Sequence, residues 1–179
     1  MIKILDAGIS APSSKNTQPW FLLADTTDKK NEIADIIEAH PDPSNFFPKY
    51  HTSVTIPCDR TYIRSAQLLR DAPAVIHVFS DSPFVGGFRN VIRNPDPRLI
   101  RSYCLEISGL AACVQNMLIA AKMLNLGALW NNDPIGIAPE VERIYGVHRD
   151  YFTSVCIGYP DELEVRNKPK KRKKKYKII

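Results

Sequence analysis

Cysteine is scarce in this sequence, and its four cysteines form no recognisable metal or redox motif. Cys58, Cys104, Cys113 and Cys156 include no C-x-x-C pair and have no histidine at zinc-binding spacing. Three of them lie inside apolar runs, which favours reduced thiols in a hydrophobic core over a disulfide framework. The sequence therefore predicts neither a zinc site nor a disulfide-bonded secreted domain.

Several common catalytic motifs are also absent from the 179 residues. There is no G-x-G-x-x-G after a strand, no P-loop, no G-x-S-x-G and no H-E-x-x-H. The histidines, His40, His51, His77 and His148, are dispersed and accompany no nucleophile or base pattern. His77 lies in an apolar strand pattern, so we expect a hydrogen-bonded core residue rather than a ligand. If the chain is an enzyme, a bound cofactor is expected to supply its reactivity.

Long uncharged apolar segments are missing as well. No run of about 18 apolar residues without charge occurs, and the N-terminus lacks the basic-then-apolar pattern of a signal sequence. The length suits one domain that can bury a sizeable core. We therefore expect a soluble cytoplasmic protein with no membrane association.

The net charge of +5 comes from the C-terminal tail. Residues 168–179 hold eight cations, whereas the rest of the chain has 16 basic and 19 acidic residues. Such a tail can be a solvated flexible end, can bind nucleic acid or another anionic surface, or can anchor a ligand phosphate. We divide the chain into a domain at residues 1–167 and a basic arm at residues 168–179.

The longest pattern in the sequence is a central helix predicted at residues 102–125. Apolar residues recur there at spacings of three and four, and further apolar residues leave only a narrow polar strip. A helix of this kind is buried nearly all round. Gly127 follows as a helix-ending residue, and residues 128–130 read as a short buried strand.

Strands and helices alternate through the remaining sequence, which predicts an α+β fold with a mixed sheet flanked by helices. Residues 41–60 are expected to form a covering loop, and residues 80–101 either a flap over a site or an exposed connection. The predicted helices cover residues 2–9, 28–40 and 61–71 and a short segment between Pro139 and Gly146, and the other predicted strands cover residues 20–24, 74–79 and 151–160.

A polar loop, residues 11–20, has the sequence APSSKNTQPW. Two prolines stiffen it, and its hydroxyl and amide side chains suit recognition of a polar ring such as a flavin or nucleobase. The alternative is that its Ser and Asn side chains only satisfy the loop's own backbone.

Four segments occur in a characteristic order: the polar loop, the helix sequence AACVQNMLIAAKMLNLGALW, the strand sequence SVCIGYP and the basic tail. The same order is found in the nitroreductase family of flavoproteins, which this chain resembles. The resemblance covers most of the chain and is weakest at residues 41–100. It implies an α+β homodimer whose long central helices pack across the interface, with FMN between the subunits. It also implies hydride transfer from NADH or NADPH through FMN to an electron-poor acceptor such as a nitroaromatic or a quinone.

The resemblance assigns cofactor contacts to three segments, while the flavin N5 carries the chemistry without a catalytic side chain. The polar loop would contact the flavin and its ribityl chain, the backbone after the central helix would lie along the flavin ring, and the basic tail would bind the phosphate. The residues concerned are Ser13, Ser14, Asn16 and Gln18 in the loop, Leu129, Trp130 and Asn131 after the helix, and Lys170, Lys171 and Arg172 in the tail.

One feature of the family does not occur in these 179 residues. The Arg-Arg-Ser-x-Arg segment that usually lies about twenty residues before the polar loop and holds the phosphate is missing, so the domain is short at its N-terminal side. Each lost charged contact is expected to cost about 1.5–3 kcal/mol of binding, unless the basic tail compensates. Two alternatives therefore stand beside the oxidoreductase: a flavin-binding protein without turnover, and a nucleic-acid or anionic-surface binder through the tail.

Overall fold

The computed structural model describes residues 1–39, 61–81 and 87–160. These residues form six α-helices and four β-strands, joined in part by 3₁₀ turns at Ser14–Asn16 and Asp133–Ile137. In chain order they are α1 (Ile2–Ile9), β1 (Trp20–Asp25), α2 (Lys29–Ala39), α3 (Thr61–Asp71), β2 (Ala74–Ser80), α4 (Gly87–Arg93), α5 (Pro97–Met123), β3 (Gly127–Asn131), α6 (Ala138–Tyr145) and β4 (Asp150–Gly158).

The four strands form one sheet in the order β1-β2-β4-β3. The predicted fold class, α+β with helices against a sheet, is confirmed, but the predicted mixture of strand directions is wrong for the described strands. All three pairings are antiparallel. Between β1 and β2 the described part of the connection holds two helices, α2 and α3, and β2 starts at the end of the sheet where β1 finishes, with Asp25 opposite Val75. A single crossover helix would have produced a parallel pair.

The strand β2 is buried along its whole length because helices cover both faces of the sheet. On one face Val75 and Phe79 pack with residues of α2, α3 and α6. On the other face Ile76 and Val78 pack with residues of α1 and α5. Alternation of side chains along a strand places these two sets on opposite faces. Helix α5 is therefore held in place by its packing against one face of the sheet.

Helix α5 begins earlier than the sequence analysis predicted. It starts at Pro97 rather than residue 102, and α4 also lies within the segment predicted as a flap or exposed connection. Asp96 caps α5, accepting a hydrogen bond from the Arg98 backbone N–H at 2.7 Å, and Pro97 provides a favourable first helical residue. This capping pair outweighs the loop-like composition of the surrounding residues.

The predicted burial of α5 on nearly all sides is wrong for the single chain. Leu110, Val114 and Met117 are fully buried, but Ile119 is 49% exposed and Met123 is 79% exposed. Among the described residues of one chain, α1, α4, the sheet and the 3₁₀ turn at Ser14–Asn16 cover the helix. By length and composition alone α5, unlike the other described helices, could cross a membrane, but its inner residues form the core beside the sheet.

The cysteines only partly follow the prediction of core thiols. Among the described residues Cys104, Cys113 and Cys156 are free; Cys113 and Cys156 are buried, whereas Cys104 is exposed on α5. Burial raises the pKa of each buried thiol to about 12, since desolvation disfavours the thiolate. Cys58 lies outside the described residues.

Candidate functional site

The polar loop has an unusual backbone. Lys15, Asn16 and Gln18 have φ values of 52°, 55° and 48°, in the left-handed region that side chains other than Asn and Asp rarely occupy. Conformations of this kind cost about 1–3 kcal/mol each and persist only where surrounding contacts hold them. Strained backbone of this type is frequent at ligand-binding sites.

Two hydrogen bonds form within the polar loop. The Gln18 backbone N–H donates to Ser13 Oγ at 2.9 Å, and the Gln18 side-chain amide donates to Asn16 Oδ1 at 3.1 Å. The alternative prediction was that these side chains only form hydrogen bonds with the loop's own backbone. It is confirmed for Ser13, which accepts the Gln18 N–H. Asn16 and Gln18 remain exposed and keep donors and acceptors for another partner.

A cavity of about 170 Å³ lies between the polar loop and the part of helix α5 that contains Ser102 and Glu106. Ser14 and Thr17 line it from the loop, and Ser102 and Glu106 line it from the helix. Glu106 is only 4% exposed, so the cavity has a buried carboxyl group in its wall. Sequence reasoning missed Glu106 because it lies in the polar strip of an apolar helix pattern, and no local signal marks a residue that faces a distant loop.

The second predicted set of cofactor contacts, Leu129, Trp130 and Asn131, lies on β3. The side chains of Trp130 and Asn131 form hydrogen bonds within the fold. The Trp130 indole N–H donates to Thr153 Oγ1 at 2.8 Å. The buried Asn131 accepts the Ser65 hydroxyl proton at 2.5 Å and donates back to the Ser65 carbonyl at 3.3 Å. These contacts tie β3 to β4 and α3.

Leu129 lies on the open edge of the described sheet and is 43% exposed, so the predicted buried strand is an edge strand. It lines a groove of about 460 Å³ together with Arg64 and Leu68 of α3 and Ile157 of β4. Leucine and isoleucine give this groove apolar walls suited to a flat ring. Arg64 is exposed and adds a guanidinium group.

Within the described residues of one chain, the polar loop and the groove are not brought together. The loop leads into β1, while the groove borders β3, and these strands occupy opposite edges of the sheet. Three inter-strand spacings separate β1 from β3, roughly 14 Å. The tail residues Lys170, Lys171 and Arg172 lie outside the described residues.

A buried polar network occupies the core beneath β1 and β2. The Tyr145 hydroxyl donates to Asp25 Oδ2 and lies 3.0 Å from His77 Nε2, which confirms that His77 is a hydrogen-bonded core residue. Burial lowers the pKa of His77 to about 4, although the nearby Asp25 charge opposes this shift. Burial would raise the pKa of Asp25, but hydrogen bonds from Thr27 and Tyr145 lower it overall. Burial, followed by the bond to Asp25, raises the pKa of Tyr145.

No described residues combine into a metal site: residues 1–39, 61–81 and 87–160 contain no group of three or more His, Cys, Asp or Glu side chains able to hold an ion. The His77 network lines neither hollow described above. Its three side chains link β1, β2 and α6, so its role is structural.

The described residues form an antiparallel sheet that helices cover on both faces. The strained polar loop lies at one edge of this sheet, and the groove lies at the other edge. Residues 1–159 match the model of the Nitroreductase family. The chain therefore belongs to the nitroreductase family.

Similar proteins agree with this membership. A curated protein from Methanothermobacter thermautotrophicus with the provisional name NADH dehydrogenase/NAD(P)H nitroreductase is 25% identical over 168 residues, which cover 89% of this chain and 65% of that protein. This chain thus spans about two thirds of that relative's length.

Solved structures share the fold. A nitroreductase from Desulfovibrio desulfuricans in complex with FMN has a TM-score of 0.60 at 24% identity, covering 97% of this chain and 77% of that one. An NADPH:FMN oxidoreductase from Vibrio harveyi in complex with NAD+ has a TM-score of 0.60 at 20% identity, covering 99% and 68%. At these identities the likeness concerns the fold alone.

Proposed function

We propose that this protein is a cytoplasmic, FMN-dependent NAD(P)H oxidoreductase whose acceptor is an electron-poor molecule such as a nitroaromatic or a quinone. One observation carries the proposal: the two described segments that the family resemblance assigns to the flavin each border a hollow, yet they lie on opposite edges of the sheet. Two copies of the chain would let the loop of one meet the groove of the other. The names of the similar proteins, which include FMN and NAD(P)H, support this reading.

The described residues fit the chemistry of FMN. The walls formed by Leu68 and Leu129 suit the flat face of a flavin ring, and the exposed amides of Asn16 and Gln18 suit its polar edge. Arg64 is a described cation beside the groove, and Lys170–Arg172 would add charge for the phosphate. When bound, FMN would take hydride from NADH or NADPH and pass it to the acceptor. The protein residues would bind and orient the reactants.

The exposed face of α5 supports a homodimer. Leu105, Ile119 and Met123 are 47%, 49% and 79% exposed, and their spacing places them on nearly the same side of the helix. An apolar strip of this kind is typical of a surface that another protein covers. A second copy is the proposed occupant, because it would also bring the loop and the groove together.

Titration with FMN tests the proposal. We expect quenching of FMN fluorescence on addition of protein, and oxidation of NADH or NADPH when a quinone or nitroaromatic is present. Binding without oxidation of either nucleotide by any acceptor would favour the flavin-binding protein without turnover. No quenching at micromolar protein would contradict the proposed cofactor and favour an anionic partner for the tail, to be checked by duplex DNA retention with and without residues 168–179.

Replacement of Ile119 by Glu tests the dimer. The introduced charge would be buried at the interface, so we expect the mass in light scattering to fall from about twice 20.2 kDa towards the single-chain value, and FMN affinity to fall at least tenfold with it. Glu32→Arg on α2, an exposed helix position on the opposite face of the sheet, is the matched control and should change neither. A monomeric Ile119→Glu variant with full FMN affinity would contradict the shared site.

A further inference from the structure

Gly109 of α5 lies where both ends of the polar loop contact the helix. It is buried, and a Cβ atom added to it would lie 3.3 Å from Ser13 Cβ and 3.4 and 3.5 Å from Pro19 Cγ and Cδ. Ser13 and Pro19 lie on either side of Lys15, Asn16 and Gln18, the loop residues with positive φ described above. We propose that Gly109 is a positioning residue that sets how closely the polar loop approaches helix α5.

The atoms around Gly109 are poorly able to move aside on their own. Pro19 is a rigid ring, and its carbonyl accepts a hydrogen bond from the Asp81 backbone N–H at 2.9 Å, which ties it to the end of β2. Ser13 accepts the Gln18 N–H and precedes the 3₁₀ turn. A side chain at position 109 would therefore displace the loop as a unit. Glycine is less favourable than alanine inside a helix, and an alanine Cβ at this position would need Ser13 to shift by a few tenths of an ångström.

The distance between loop and helix also controls the neighbouring cavity. Ser102, Leu105 and Glu106 line the cavity from α5, and they lie one to two turns before Gly109 on the same helix. Ser14 and Thr17 line it from the loop. Movement of the loop away from Gly109 would widen this cavity and change the direction of the exposed Asn16 and Gln18 amides. The effect of Gly109 on FMN rests on the proposed function, whereas its effect on the loop does not.

Gly109→Ala tests the inference through two measurements. The first is amide hydrogen exchange of residues 13–19, in which we expect the Gln18 N–H to exchange about tenfold faster, because its bond to Ser13 Oγ is disturbed. The second is FMN affinity by fluorescence quenching, which we expect to fall about tenfold. Gly109→Ser, with a larger side chain, should produce larger changes in both.

Ser108→Ala is the matched control. Ser108 is the neighbouring residue on α5, is exposed, and bonds its own helix at the Cys104 carbonyl. It tests the effect of a new alanine in the helix without contact to the loop. We expect exchange at residues 13–19 to stay within twofold of the original protein.

Ser13→Gly provides the specific rescue, because it removes the Cβ atom nearest to the added Cβ. It also removes the Oγ that accepts the Gln18 N–H, so the readout in this background is the exchange of the Asn16 and Thr17 N–H groups, which donate to backbone carbonyls. The Gly109→Ala change should speed their exchange much less in this background than it does alone. An effect of full size in the Ser13→Gly background, or no change of exchange in Gly109→Ala, overturns the inference. If Gly109→Ala fails to fold, recovery of the fold in the double variant supports the contact and continued failure overturns it.

The two proposals fail in different ways. If the original protein binds no FMN, the proposed function fails, and the exchange of residues 13–19 still decides the role of Gly109. If the original protein binds FMN and Gly109→Ala changes neither exchange nor affinity, the proposed function stands and the positioning role is overturned.

Discussion

Lowering the pH from 6.5 to 4 is expected to reduce the free energy of unfolding by about 3 kcal/mol through His77 alone. The imidazole is fully buried, and its pKa falls from 6.5 to about 4 because burial disfavours the charged ring. Its Nδ1 atom has no hydrogen-bond partner among the described residues. Protonation in the folded protein would thus place a charge in a site with little to stabilise it.

The direction of this dependence follows from proton binding. Between pH 4 and 6.5 the unfolded chain binds a proton at His77, whereas the folded chain does not, so acid favours the unfolded state. The stabilisation is complete above about pH 6.5 and is lost as the pH falls towards 4. Asp25, whose pKa is lowered, adds a loss of the same sign below its unfolded pKa of 3.8.

Urea unfolding at intervals from pH 4.5 to 7.5 measures the effect. His77→Gln keeps a polar group opposite the Tyr145 hydroxyl and removes the titration, so we expect its pH dependence to be shallower than that of the original protein across this window. His148→Gln changes an exposed histidine and should leave the dependence unaltered. Equal slopes for the original protein and His77→Gln would contradict the assignment.

Replacement of Asn131 by Leu is expected to lower the free energy of unfolding by about 3 kcal/mol. Asn131 accepts the Ser65 hydroxyl and donates to the Ser65 carbonyl, and both residues are buried. Leucine would leave both Ser65 groups without these partners in a site that water does not reach. Each unsatisfied buried group costs about 1–3 kcal/mol.

A double-mutant cycle with Ser65→Ala identifies the contact. Removal of both partners is expected to cost less than the sum of the single changes, because the second change removes one of the groups that the first left unsatisfied. The same variants test the predicted cofactor role of Asn131. FMN affinity that stays near its original value in the folded Asn131→Leu variant would show that the side chain serves the fold and that only the backbone is available to the cofactor.

The sequence predicted those elements whose limits are set by local chemistry. α1 and α3 span the predicted residues because Pro12 and Pro73 forbid their continuation. α6 ends at Gly146 with φ 64°, as its position predicted. The polar loop was found from its composition, and the nitroreductase fold from the order of four motifs.

Features that depend on distant contacts were missed or misread. The antiparallel β1–β2 pair joins residues far apart in the sequence, such as Asp25 and Val75, and no periodicity reveals such a pairing. Asn131 was predicted as a cofactor contact, whereas its side chain binds Ser65, which is 66 residues away in the sequence. The left-handed backbone of Lys15 and Gln18 could not be predicted from residue types that ordinarily avoid it.

The positions of the polar loop and the groove on opposite strand edges have a genetic consequence for a shared-site dimer. A chain damaged only in its loop and a chain damaged only in its groove would each form inactive assemblies alone. Combined in one cell, they would form mixed pairs in which one pocket has both defects and the other has neither, so that two defective alleles would complement each other.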